Sequence, residues 1–365
     1  MAAKRGKPAA RKPYATALAA LEAAAENIVL ELDGEALALT HLDKVLWPPA
    51  ANVHGYTRRD YLRHLLRVGP AMLPHAKDRP LTLIRMPAGI NGRRFVHFHY
   101  EQRLPRFVET ITIFSEKSKA AEPFLLCNNM PTLLWLAHVG TLELHVWHSR
   151  AAAQPDAKAA STDYASSAQS LQRSILNYPD YIVFDIDPYI YAGHEQDGAQ
   201  PEFNLLAFEK GKAVAFWLKE LVDAMKLQAL VKTSGKTGLH VLVPIVRTID
   251  YDGARAIALT LARHLARDHP DDITLDWDTR KRTGKIFVDY NMNVRVKTLN
   301  APYSVRGLPG APVSMPLTWE ELAGAHPLDY TMENAADLLE RRGDIWAGIL
   351  YMKQDLARVL AAAGR

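Results

Sequence analysis

Asp185 and Asp187 close the apolar run Tyr181-Ile182-Val183-Phe184. Two residues apart on an extended chain, they leave the same face, while Phe184 and Ile186 point the other way. Two like charges held close together are unfavourable unless a cation lies between them, and carboxylate oxygen suits Mg²⁺ or Mn²⁺. Asp-x-Asp alone fits two solvated acids at a strand end equally well. Asp289, which ends a second apolar run, Ile286-Phe287-Val288, can bring a third carboxylate to the same metals. Three acids suit two-metal phosphoryl transfer, in which one ion activates an attacking 3′ hydroxyl and the other neutralises a triphosphate and its leaving group. Asp276 and Asp278 repeat the spacing, but the basic run Arg280-Lys281-Arg282 follows directly, which marks them as surface acids.

The triphosphate side of such chemistry needs donors and close backbone approach. Ser234-Gly235-Lys236-Thr237-Gly238-Leu239-His240 offers both, with Ser234 and His240 as hydrogen-bonding groups and Lys236 as charge. The spacing upstream of Gly-Lys-Thr is not that of a Walker A loop, and a strand rather than a helix follows. An ordinary β connection with a solvated lysine is the other reading. Lys297 and Arg306 follow Asp289, and a lysine with an arginine fork can bind triphosphate oxygens. Arg306 can also simply close a surface salt bridge.

These residues need a scaffold of strands and helices. Residues 15–27 read as a short helix and 28–39 as a hairpin turning at Asp33-Gly34. Thr57 caps a helix expected over 58–68. Strands are expected at 81–86, 95–100, 142–147, 181–184, 229–233, 240–246 and 285–290. Helices are expected from Pro131, over 205–225 and over 253–267, while 154–177 reads as a surface connection or linker. The mixture points to an α+β (mixed α/β) core, with residues 316–365 mainly helical.

Composition bounds the partners. The 365 residues carry a formal charge of +4, yet Lys4, Arg5, Lys7, Arg11 and Lys12 sit in the leader, so the remainder is near neutral. Nucleic-acid binding therefore depends on local patches. The single cysteine, Cys127, excludes an intrachain disulfide and cysteine-rich zinc sites. Apolar stretches such as 124–139 are broken before the roughly 18 residues that a membrane helix requires, so no membrane contact and a cytoplasmic location are expected.

In order and spacing, these pieces resemble the polymerase domain of bacterial DNA ligase D, a branch of the archaeo-eukaryotic primase superfamily. The resemblance runs from about His41 to Leu322. It rests on Leu42-Asp43-Lys44-Val45-Leu46-Trp47-Pro48, Arg85-Met86-Pro87-Ala88-Gly89, Glu143-Leu144-His145, Phe184-Asp185-Ile186-Asp187-Pro188, Ser234 to His240, Val288-Asp289-Tyr290 and Ala301-Pro302-Tyr303-Ser304-Val305-Arg306-Gly307. It implies metal binding by Asp185, Asp187 and Asp289, and triphosphate contacts by Ser234, Lys236, His240, Lys297 and Arg306. It also implies that His145 lies near the nucleotide, that Lys44 and Arg58 recognise a downstream 5′ phosphate, and that Phe95 packs against template bases.

The resemblance implies a DNA-dependent nucleotidyltransferase acting on gapped or broken duplexes, with ribonucleotides and manganese favoured and bacterial Ku and a DNA ligase as partners. The expected organisation is a basic leader (1–14), a catalytic domain of two closely packed subdomains, one an N-terminal α/β unit (15–325), and a C-terminal helical extension (326–365). The rival readings are a primase that starts strands de novo and a noncatalytic DNA-end binding or scaffolding protein. No Lys-x-Asp-Gly ligase signature is present.

Overall fold

Alternation along the strand Tyr181–Asp187 decides how the chain packs. Ile182, Phe184 and Ile186 are buried in the main core with Phe208, Val214 and Leu218 of the helix Leu205–Ala224 and Ala254 and Ala258 of the helix Tyr251–Asp268. Tyr181 and Val183, on the opposite face, pack with Leu242, Leu299, Trp346 and Ile349. Asp185 and Asp187 continue that second face. The computed structural model describes residues 13–50, 53–100, 103–158, 160–189, 205–356 and 358.

The strand is central in a six-stranded sheet. Across the sheet the strands are Ile273–Thr274, Ile286–Asp289, Tyr181–Asp187, Leu239–Pro244, Leu230–Thr233 and Pro316–Leu317, antiparallel except for the first pair. A four-stranded antiparallel sheet, ordered Thr298–Asn300, Thr141–Trp147, Leu81–Arg85 and Phe95–His97, forms the second layer. The mixed α/β expectation holds. Asp180 fixes the entry to the central strand, since it is buried between Arg79 at 2.7 Å and Arg150 at 2.9 Å. The segment 154–177 is tied to the fold, because the buried Arg247 pairs with Asp156 at 2.9 Å and Leu171, Ile175 and Leu176 are buried.

The hairpin Ile28–Leu32/Glu35–Leu39 turns at Asp33 and Gly34, both at positive φ as a tight hairpin turn requires. Thr57 caps the next helix in a capping box with Asp60, worth about 1 kcal/mol. That helix runs over Arg58–Ala76 rather than stopping at 68. Gly69 lets the helix Met130–His138 approach so closely that a Cβ there would collide with Met130, and this packing carries the helix through Pro70 and Pro74.

The hairpin Thr110–Ser115/Ala120–Leu125 and the short strands at 273–274, 298–300 and 316–317 have no counterpart in the sequence reading. The C-terminal region contains the helices Trp319–Gly324 and Ala335–Arg342, then a single 3-10 turn at Ile349–Tyr351, with loops between. Among the described residues, no helix is long and apolar enough to cross a membrane. Residues 1–12 of the leader and the loop 190–203 lie outside the described residues.

Candidate active site

The register of the central strands assembles the acids. Asp185 is the direct partner of Asp289 on one side and of His240 on the other. Directly opposed residues in a sheet project to the same face, and Asp187 lies two residues further along it. Burial first, and then the charges of Asp187 and Asp289, raise the Asp185 carboxyl well above its ordinary range. Asp187 is raised to about 6 by burial and by Asp289. Asp289 is also raised by burial, against the opposing influence of the Asn291 backbone, Lys297 and Arg282. Lys297, itself exposed, is thus electrostatically coupled to the cluster.

The donor set fits a hard divalent cation. Among the described residues, no three His, Cys, Asp or Glu side chains form a ready-made cage. Mg²⁺ is commonly held by one or two carboxylates plus substrate phosphate and water, so an open acid face beside a phosphate-binding turn is the form to expect. The turn between Thr233 and Leu239 is ordered by its own side chains. Ser234 Oγ accepts the backbone N–H groups of Lys236 at 3.1 Å and Gly238 at 3.0 Å. Gly235 has φ of 74°, and a Cβ there would sit 2.8 Å from Arg306 Cγ. The Lys236 ammonium lies 5.4 Å from the Tyr189 ring and offsets part of the rise at Asp187. His240 Nε2 is 3.4 Å from Asp185 Oδ1.

Arg306 joins the two sheets. Its Nε lies 3.3 Å from the buried Glu143 carboxylate, and its Nη1 lies 3.5 Å from the Ser234 carbonyl oxygen. The Trp47 indole donates to the Arg306 carbonyl at 3.1 Å, and a Cβ on Gly307 would collide with Met86. Motifs far apart in the sequence therefore meet around one arginine. Glu143 also accepts from His145 Nε2 at 3.0 Å and from the Gly307 N–H at 3.1 Å. Burial alone would raise the Glu143 carboxyl, but His145, Arg306 and the Gly307 N–H together hold it down at about 2.

The remaining sequence-derived residues lie apart from this cluster. Lys44 is exposed, whereas Arg58 is buried and places Nη1 2.6 Å from the Thr40 carbonyl oxygen. Their backbones touch, with Arg58 N–H donating to Lys44 O at 2.9 Å. Phe95 is partly buried at the sheet edge, outside the hydrophobic core clusters, with the Arg93 guanidinium 5.0 Å from its ring.

Three residues around the site were given no role in the sequence reading. Glu143 signals itself by sharing a strand face with His145. Lys232 is a lysine inside an apolar strand. Arg282 belongs to the basic run that marked Asp276 and Asp278 as surface acids, yet it is itself buried, lies 3.7 Å from the Phe287 ring centre and draws down the carboxyls of Asp187 and Asp289. Asp276 and Asp278 cap local turns and pair with Lys281 and Arg280, in keeping with surface acids.

This architecture is that of the nucleotidyltransferases of the primase-polymerase class. The solved polymerase domain from Mycobacterium tuberculosis ligase D, in complex with DNA, matches with a TM-score of 0.71 at 25% identity, covering 87% of this chain and 98% of that one. The LigD primase-polymerase domain family matches residues 57–346, and the chain belongs to it. The multifunctional non-homologous end joining protein LigD of Mycolicibacterium smegmatis is 28% identical over 86% of this chain and 36% of its own length. The protein of that name from Pseudomonas aeruginosa is 32% identical over 70% of this chain and 26% of its own length. The chain therefore spans about a third of the curated relatives it matches.

Proposed function

We propose that this chain is a template-directed, two-metal nucleotidyltransferase that adds nucleotides to DNA 3′ ends and fills short gaps at breaks during non-homologous end joining. The observation that carries the reading is the facing of Asp185 by Asp289, with Asp187 on the same face and Ser234, His240 and Arg306 at its border. Asp185, Asp187 and Asp289 would hold Mg²⁺ or Mn²⁺, which when bound activates a 3′ hydroxyl and neutralises triphosphate charge.

The chain's own groups do the rest. Ser234, Lys236, His240, Lys297 and Arg306 bind the nucleoside triphosphate, and the Arg306 fork stabilises charge on the leaving pyrophosphate. His145, held by Glu143, lies beside the nucleotide. Phe95 stacks on template bases, and Lys44 with Arg58 binds the downstream 5′ phosphate. Bacterial Ku and a DNA ligase are the proposed partners, with ribonucleotides preferred over deoxyribonucleotides and Mn²⁺ over Mg²⁺.

Extension of a labelled primer on a gapped duplex, with each metal and each sugar in single-nucleotide kinetics, tests the reading. Tight binding of that duplex without extension would favour a noncatalytic end-binding protein. Oligonucleotides made on a primer-free template would favour a primase. Equal or inverted sugar preference would remove only the ribonucleotide claim.

A further inference from the structure

Tyr303 stands at a bend that several parts of the site share. It is fully buried and has φ of 67°, a left-handed conformation that is costly for a bulky side chain and persists where the surroundings over-determine it. The backbone of the bend is tied down on each side. Tyr303 N–H donates to Ser314 O at 2.8 Å, and Ser304 N–H donates to Ala301 O at 3.1 Å. Ala301 N–H donates to Leu144 O at 2.8 Å, and Leu144 N–H donates back to Ser304 Oγ at 3.2 Å. Leu144 lies between Glu143 and His145, and Arg306 follows three residues after Tyr303, with its N–H on Pro312 O at 2.8 Å. One bend thus seats the strand of Glu143 and His145 and leads into Arg306.

The side chain at the bend is held from the C-terminal region. Tyr303 OH donates to Asp344 Oδ1 at 2.6 Å, and the Trp346 N–H donates to the same oxygen at 2.9 Å. His75 Nε2 lies 2.9 Å from the other oxygen, Oδ2. Burial would raise the Asp344 carboxyl, but His75, Tyr303 and the Trp346 N–H hold it below its ordinary range, so it serves as an ionised acceptor. Its place is fixed as well. The helix Ala335–Arg342 ends at Gly343, whose φ of 75° turns the chain into Asp344. Arg67 pairs with Glu340 of that helix at 2.9 Å, and Arg67 and His75 both belong to the helix Arg58–Ala76.

We infer that Asp344 is a positioning residue of the nucleotide site: it clamps Tyr303 in its left-handed conformation, and through that bend it sets Arg306 and the strand carrying Glu143 and His145. Asp344 then contributes to nucleotide binding as well as to packing. The consequence for turnover rests on the polymerase reading, whereas the clamp does not.

Amide hydrogen exchange of the full metal-free chain reads the bend directly. Asp344→Ala and Tyr303→Phe should each speed exchange at Leu144, Tyr303, Ser304 and Arg306 about tenfold, and Asp344→Asn, which keeps an acceptor for the hydroxyl, should restore slow exchange. In gapped-duplex extension, the first two variants should raise KM for the nucleoside triphosphate about tenfold with affinity for the duplex unchanged, and Asp344→Asn should bring KM back towards the wild type.

Circular dichroism and melting report whether the variants fold. If Asp344→Ala does not fold, Tyr303→Phe, which removes only the hydroxyl, carries the test. A folded variant that melts earlier but matches the wild type in exchange at the bend and in KM overturns the inference, since Asp344 would then serve stability alone. Failure of the wild type to extend any primer, with exchange at the bend responding as expected, would count against the polymerase reading and leave Asp344 as the clamp on Tyr303.

Discussion

Asp185 and Asp289 are directly opposed across two antiparallel strands, and Asp187 stands on the same face. Like charges so placed oppose each other, and the raised carboxyls record the cost. An acid whose folded pKa is raised binds more protons folded than unfolded over the interval between the two values. For Asp187 that interval runs from 3.8 to about 6, so its destabilising contribution grows as pH rises through it. Asp187→Asn should therefore raise the stability of the metal-free protein near pH 7 by on the order of 1–3 kcal/mol, while abolishing primer extension. Melting curves with and without Mn²⁺ check both halves, since stabilisation by the ion should fall in the variant. Normal extension by Asp187→Asn or Asp185→Ala would sink the assignment of these acids.

Glu143 joins His145 and Arg306 through one buried carboxylate. Glu143→Gln keeps the shape and removes the charge, which weakens both contacts at once. Stability should fall by about 1–3 kcal/mol, the cost of leaving a buried charged partner incompletely satisfied. KM for the nucleoside triphosphate should rise about tenfold or more as Arg306 loses its anchor. Unchanged kinetics in a folded Glu143→Gln protein would show that Arg306 is held by its other neighbours.

How legible all this was depended on whether a signal is local. The shared strand face of Asp185 and Asp187, the Asp33-Gly34 hairpin and the Thr57 cap each follow from neighbouring residues and were read correctly from them. The helix end at 68 was not, because Gly69 is decided by Met130, a residue remote in sequence. Strands of two or three residues carry no periodicity, and Pro123 disguises one arm of the 110–125 hairpin. Arg282 looks like an ordinary surface cation in sequence, and it is buried against the Phe287 ring; Lys232 stands inside an apolar strand, but its burial comes from sheet order.

His148 is fully buried, and neither ring nitrogen has a partner among the described residues. Burial first, then Arg79 and Lys232, lowers its pKa from 6.5 to about 3. A histidine with a depressed folded pKa contributes its full stability above the unfolded value and loses it as pH falls, because the unfolded chain takes the proton first. His64 and His138, each lowered to about 4 mainly by burial, add to the same slope. Stability should therefore begin to drop below about pH 6.5, and His148 alone should contribute a loss on the order of 2–3 kcal/mol by about pH 4.5. His148→Phe should flatten that part of the profile in denaturant melts. An unaltered slope would mean that the ring is not held neutral.

The last prediction concerns placement on DNA. A terminal phosphate carries more negative charge than an internal diester and offers extra oxygens to cationic donors. Lys44 is exposed and free to reach such a group, while the adjacent Arg58 is buried, with Nη1 on the Thr40 carbonyl and a buried Nε that lacks a partner in the described structure. The two residues should therefore behave differently. Lys44→Ala should shrink the preference for a gapped duplex bearing a downstream 5′ phosphate over one bearing a hydroxyl, with no effect on melting. Arg58→Ala should reduce that preference and also destabilise the protein, by about 1–3 kcal/mol, because the guanidinium ties the start of its helix to Thr40. Neither change should alter metal binding at the acid cluster, since both act on where the DNA sits and not on the chemical step. Binding of matched duplexes at fixed salt, with the wild type and each variant, makes the comparison. Equal wild-type affinity for phosphate and hydroxyl ends would remove the pocket altogether. A preference that survives in Arg58→Ala but not in Lys44→Ala would leave Lys44 as the phosphate ligand and Arg58 as a structural residue.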